Sequence, residues 1–108
     1  MNNSGLPEIK LFGEKLVEDW LADNGYLHVS KEPLQLNEFG LKATGKIEDI
    51  LVQVKTFLFP NRPLKLSEYE VDLLTRRANK LRSAAYAAYV VLDINGIVVG
   101  EIKWERLS

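Results

Sequence analysis

Apolar residues at Ile9, Phe12, Leu16, Val17, Trp20 and Leu21 recur at helical spacing. The pattern predicts a helix over about 7–24 with one broad apolar side turned to a sheet. Pro7 suits a first helical position, and Gly25 after Asn24 supplies the C-terminal stop. Tyr26–Ser30 reads as a short strand, with Lys31-Glu32-Pro33 as a polar connection, and Leu36–Thr44 reads as a second strand. In Asp49-Ile50-Leu51-Val52-Gln53-Val54-Lys55 the alternation sends Ile50, Val52 and Val54 to one face and Leu51, Gln53 and Lys55 to the other. Pro60 and Pro63 end that strand in an exposed loop. Ser67, with Glu70 three residues on, opens a second helix that runs to about Arg82 with Val71, Leu74, Ala78 and Leu81 inside. Tyr86–Asp93, Asn95-Gly96 and Ile97–Trp104 then read as a hairpin. The order is helix, three strands, helix, two strands, which predicts an α+β sandwich: a mixed sheet flanked by two helices.

Composition narrows this picture without directing it to a partner. A chain of 108 residues with 46% hydrophobic content fits a single domain spanning 1–108. Fourteen basic residues against 15 acidic ones give no global field toward nucleic acid or membrane, although a local basic face remains open. The absence of cysteine excludes disulfides, thiolate metal sites and cysteine nucleophiles, and fits a reducing compartment; a cytoplasmic location is the expectation. Met1–Pro7 lacks the basic and apolar segments of an export signal, and no stretch is long and apolar enough to span a bilayer. His28 has no second histidine or cysteine to share a zinc ion with.

Three groups of polar residues carry candidate chemistry. Gln53 and Lys55 end an otherwise apolar strand on one face, where desolvation without partners costs free energy. They serve either as the emerging end of an ordinary strand or as a site. Glu14 lies about 20° from Leu21 around the helix, at the edge of the apolar stripe, with Glu18 a step further out; the helix angle and the strand alternation together direct Gln53 and Lys55 to a place beside Glu14. Glu38, Gly40 and Lys42 share a face of the second strand, where Gly40 marks a bulge or a close backbone approach. Arg76, Arg77, Lys80 and Arg82 make the end of the second helix basic, which suits the helix dipole and equally suits phosphate contacts.

Phe12-Gly13-Glu14-Lys15-Leu16 through Asn24-Gly25-Tyr26, followed by Leu51-Val52-Gln53-Val54-Lys55, resembles the core of the PD-(D/E)XK nuclease superfamily, which includes Holliday-junction resolvases and Mrr-like restriction endonucleases. The resemblance covers most of the chain and rests on the joint order of short motifs. It implies a restriction-endonuclease-like core and a hydrolase that cleaves DNA phosphodiesters with Mg²⁺ or Mn²⁺, the ion neutralising developing charge and lowering the pKa of its bound water. Gln53 and Lys55 match the family's Gln-x-Lys form, and Glu14 matches its helix carboxylate. The aspartate of the second strand falls at Gly40, which has no side chain; Glu38, on the same face about 7 Å along the strand, is the substitute. The implied metal ligands are Glu38, Gln53 and Glu14, with Lys55 orienting water. Were Gln53 and Lys55 instead buried away from the first helix, the nuclease reading would be removed. Arg62, Arg76, Arg77 and Lys80 are the expected DNA contacts. The alternatives are an inactive module of the same fold that binds DNA or a partner protein, and a small interaction domain of unrelated origin. The terminal hairpin, with Ile97, Val98, Val99 and Ile102, predicts an edge for homodimer pairing.

Overall fold

Helix α1 (Gly5–Asp23) begins two residues before Pro7 and stops where Gly25, at φ 88°, turns the chain. The computed structural model describes residues 5–35 and 38–108. Strands β1 (Leu27–Gln35), β2 (Glu38–Thr44) and β3 (Ile50–Leu58) form an antiparallel unit; helix α2 (Glu68–Lys80) then crosses over to β4 (Ala84–Leu92), and β5 (Lys103–Arg106) closes the chain. The five strands lie in the sheet in sequence order. Only β3 and β4 pair in parallel, over the full nine positions from Ile50↔Ala84 to Leu58↔Leu92. The result is an α+β fold with a five-stranded mixed sheet and two helices.

The alternation in β3 divides the core in two. Ile50, Val52 and Val54 pack with Val17 and Leu21 of α1, together with Leu41, Ala88, Val90 and Leu92. On the opposite face Leu51, Ala85, Ala87 and Tyr89 pack with Leu74 and Ala78 of α2. Val17, Leu21, Leu51 and Leu74 have no exposed surface, so each contributes about 1.5–3 kcal/mol of burial free energy. Helix α1 approaches β3 at Gly13, where a Cβ would stand 2.0 Å from Thr56 Oγ1. Gly13, not Phe12, therefore holds the inner position; Phe12 is half exposed and lies over Gly96. The expected box at α2 is formed, with Ser67 Oγ accepting from Glu70 N–H at 3.1 Å and Glu70 Oε1 accepting from Ser67 N–H at 2.9 Å. The helix ends at Lys80, two residues short of the expected Arg82.

Two strand boundaries differ from the sequence pattern. Lys31, Glu32 and Pro33 are not a connection but lie within β1, opposite Leu41, Gly40 and Phe39. An edge strand with one solvated face accepts polar residues and a proline that a central strand would refuse. Residues 36 and 37, where the second strand was expected to begin, are outside the described residues. The last strand is also not continuous over 97–104. The chain reverses through Asp93–Ile97, with Asp93 Oδ1 accepting from the N–H groups of Asn95 and Ile97, and pairs briefly at Leu92↔Val98. Gly100, at φ 79°, breaks the ladder before β5 resumes it opposite Tyr86–Tyr89.

Candidate functional site

Continuing the β2–β3 ladder from Leu41↔Val52 sets Gly40 opposite Gln53 and Glu38 opposite Lys55. All four positions thus share the face that carries α2. Gly40 is a tight place for a side chain: a Cβ would stand 3.0 Å from the Val52 carbonyl oxygen and 3.2 Å from Leu51 Cδ1, so neighbours would have to shift to admit one. It is a point of close approach in a regular ladder, not a bulge. The carboxylate nearest Gln53 is that of Glu38. Gln53, only 4% exposed, donates from Nε2 to Glu38 Oε1 at 3.1 Å. The length of the glutamate side chain spans the distance that separates the two positions along the strand.

Lys55 is drawn toward α2, where its Nζ lies 2.6 Å from Glu70 Oε2. Burial pushes the Glu70 carboxyl up, but the Lys55 ammonium and the Ser67 N–H and hydroxyl outweigh it and hold the group below its ordinary range. Glu70 was legible in the sequence only as half of a capping box. Its second oxygen does separate work, because the first turn of α2 lies over β3 and delivers that oxygen to the strand.

Gln53 and Lys55 do not lie beside Glu14, as the helix angle had implied. They share the face of Leu51, whereas α1 covers the face of Val52 and Val54. Glu14 is half-buried on α1, away from the pair. The residue of α1 that does reach the site is Lys10, whose Nζ is 3.6 Å from Glu38 Oε2. This contact is open to it because Glu38 is the first residue of β2 and stands at the rim of the sheet. A cleft of about 260 Å³ at that rim is lined by Lys10, Glu38, Val54, Lys55 and Thr56. Thr56 Oγ1 is buried without a hydrogen-bond partner.

The expected basic face of α2 is largely occupied. Arg77 donates from Nε to Glu32 Oε2 at 2.9 Å, and Arg76 Nη2 pairs with Asp72 at 3.0 Å. Lys80 is exposed at the end of the helix. Arg62 lies elsewhere, in a cleft with Lys65 and Lys103.

No family model, curated protein or solved structure matches this chain.

Among the described residues no three histidine, aspartate or glutamate side chains converge on one point. The carboxylate that could serve a divalent ion on this face is Glu38; the Gln53 amide turns its Nε2, not its oxygen, toward it, and the Thr56 hydroxyl is buried against Gly13 on the opposite face. One carboxylate, which already accepts from Gln53 Nε2 and pairs with Lys10, is a sparse set for a hard divalent ion, which would have to take most of its ligands from water and substrate phosphate.

Proposed function

We propose that the chain is a metal-dependent hydrolase of nucleic-acid phosphodiesters with a restriction-endonuclease-like core, of the PD-(D/E)XK kind. One observation carries this reading: a carboxylate, an amide and a lysine from adjacent strands, Glu38, Gln53 and Lys55, meet on one face of the sheet at the rim, although the expected position of the acid is glycine. The element order and the parallel β3–β4 pair support it. Gln53 and Lys55 lie on the face away from α1, the arrangement that was expected to remove a nuclease reading, so the proposal rests on a different site, on the α2 face and without Glu14.

Glu38 would hold the ion, joined by Gln53 once its amide turns over to present the oxygen in place of the Nε2 that now donates to Glu38. When bound, the ion neutralises charge on the scissile phosphate and lowers the pKa of a water. Lys55 is the cation that orients this water or meets the phosphate, and Glu70 fixes its ammonium at the edge of the cleft. Lys10 competes with the ion for Glu38 and sets part of the electrostatic cost of loading.

A second reading, a non-cleaving module that binds DNA or a partner protein, is favoured by the close pairing of Lys55 with Glu70 and by the near-complete burial of Gln53. Homodimer formation through the terminal hairpin belongs with the proposal; β5 offers only four residues of edge, with Ile97 and Val99 exposed beside it. Light scattering at high protein concentration tests it, and a monomeric mass contradicts it.

Nicking of supercoiled plasmid, and cleavage of labelled duplex, branched and single-stranded DNA, with Mg²⁺ or Mn²⁺ separates the two functional readings. The hydrolase cleaves, and Lys55→Ala and Glu38→Ala each lose cleavage by about a hundredfold or more while remaining folded. Absence of cleavage by the unaltered chain with both ions and every substrate contradicts it.

A further inference from the structure

A cleft of about 660 Å³ lies between the loop after β3 and strand β5, on the same face of the sheet as Gln53 and Lys55. Its floor is Tyr89, which pairs in register with Lys55 on the neighbouring strand. The candidate lysine and the floor of the cleft are therefore about one strand spacing apart, roughly 4.8 Å between backbones. Tyr89 is fully engaged: its hydroxyl accepts from Leu66 N–H at 3.2 Å and donates to Glu105 Oε1 at 2.8 Å. That leaves the floor with no free donor or acceptor on the tyrosine, and recognition falls to the walls.

The walls carry Arg62, Lys65 and Lys103 against a single carboxylate, Glu105. Lys65 is 3.4 Å from Glu105 Oε2, so that pair is internally neutralised. Arg62 and Lys103 are exposed and have no ion-pair partner among the described residues. Arg62 precedes Pro63, which restricts its backbone to extended conformations and limits how far it can swing from the cleft. Trp104 lines the cleft too, but its ring packs at a tilt against Trp20, 4.7 Å between centroids, and is not free to receive a base.

We infer that this cleft is the track for the sugar-phosphate backbone of the nucleic acid, with Arg62 and Lys103 binding phosphates that flank the one at Lys55. The assignment rests on the hydrolase reading for the direction of the strand, but its own content is phosphate binding. It takes backbone and not bases, so affinity is independent of sequence and falls with salt.

Fluorescence anisotropy of a labelled DNA duplex of mixed sequence against the full chain, over a salt series without divalent metal, tests it. The Arg62→Ala/Lys103→Ala double variant removes exposed side chains without folded-state partners and retains the unaltered melting profile. It is expected to bind at least tenfold more weakly and to lower the slope of log affinity against log salt by about 1.8, near 0.9 for each phosphate contact. Lys46→Ala, an exposed lysine at the other end of the sheet, leaves both unchanged. An unaltered affinity and slope in the double variant overturns the track, as does a failure of the unaltered chain to bind at low salt. Lys55→Ala distinguishes the two claims: cleavage lost with binding weakened by no more than one phosphate contact supports both, and a track that binds in a chain that never cleaves removes the hydrolase and leaves the track standing.

Discussion

The two faces of the sheet are built from alternate residues of the same strands, yet they have different chemistry. The α1 face is closed by a 19-residue helix and by an aromatic group in which Trp104 packs at a tilt against Trp20 and meets Tyr86 edge-on. Its charged groups sit at the margin, where Arg106 lies over the Tyr86 ring and donates to Glu48. The α2 face has a 13-residue helix over a floor of small residues, Ala85 and Ala87, and leaves the C-terminal ends of β3 and β4 partly uncovered. Gln53, Lys55, Tyr89 and Glu105 form a polar row there. A short helix over a parallel pair thus leaves the strand ends free for chemistry, and a long helix spends the other face on stability.

The comparison breaks most readily at the core. Leu21→Ala is expected to lower unfolding free energy by about 2–5 kcal/mol in urea titration, because Leu21 has no exposed surface and its site cannot collapse fully. Cleavage measured well below the unfolding midpoint should persist. If the α1-face variant loses activity while folded, the division of labour between the faces is wrong.

A smaller effect follows from the contact between helix and strand. Gly13→Ala is expected to cost about 1–3 kcal/mol by overpacking against Thr56. Removing the Thr56 hydroxyl and methyl in Gly13→Ala/Thr56→Ala relieves the two closest contacts and recovers part of the loss. Additive losses in this double-mutant cycle would show that the approach is looser than described.

On the α2 face the expected stability changes are smaller still and depend on pH. Glu70 has its folded-state pKa lowered from an ordinary value of 4.5. Its contribution is therefore complete above the unfolded pKa and is lost as pH falls through the lower folded value. Lys55→Met should cost no more than about 1 kcal/mol at neutral pH, in the range of partly exposed ion pairs. It should also flatten the acid limb of the stability profile below about pH 4.5. An acid limb identical in the variant would remove the Lys55–Glu70 coupling. Glu48→Gln, at the margin of the α1 face, is expected to change stability least, and its effect should vanish at high salt, because the Arg106 guanidinium that holds the Glu48 carboxyl below its ordinary range is exposed.

Much of the architecture was legible because it follows from periodicity. The alternation in β3 predicts both cores, the capping box marks α2, and the element order agrees with the strand order. What periodicity did not carry was which helix covers which face. Glu14 was placed by its angle on α1 alone, but the side of the sheet on which α1 lands is settled by the apolar run Ile50, Val52 and Val54, and that sends Gln53 and Lys55 to α2. Glu38 was legible from two-residue alternation. Glu70 was not, since a capping glutamate carries no sign that its other oxygen reaches a strand. Lys31–Pro33 misled because the polar residues of an edge strand look like those of a loop, and the break at Gly100 was hidden by apolar β-branched neighbours.

Glu38 and Gln53 are proposed to form the metal-holding end of a hydrolytic site on the α2 face. Anomalous diffraction from crystals soaked in Mn²⁺ tests it most directly, with a Glu38→Ala crystal as the control. The account predicts a peak within coordination distance of the Glu38 carboxylate and the Gln53 amide oxygen, on the side that faces Lys55, and its loss in the variant. A peak confined to other carboxylates, or one at the rim that survives Glu38→Ala, would contradict it.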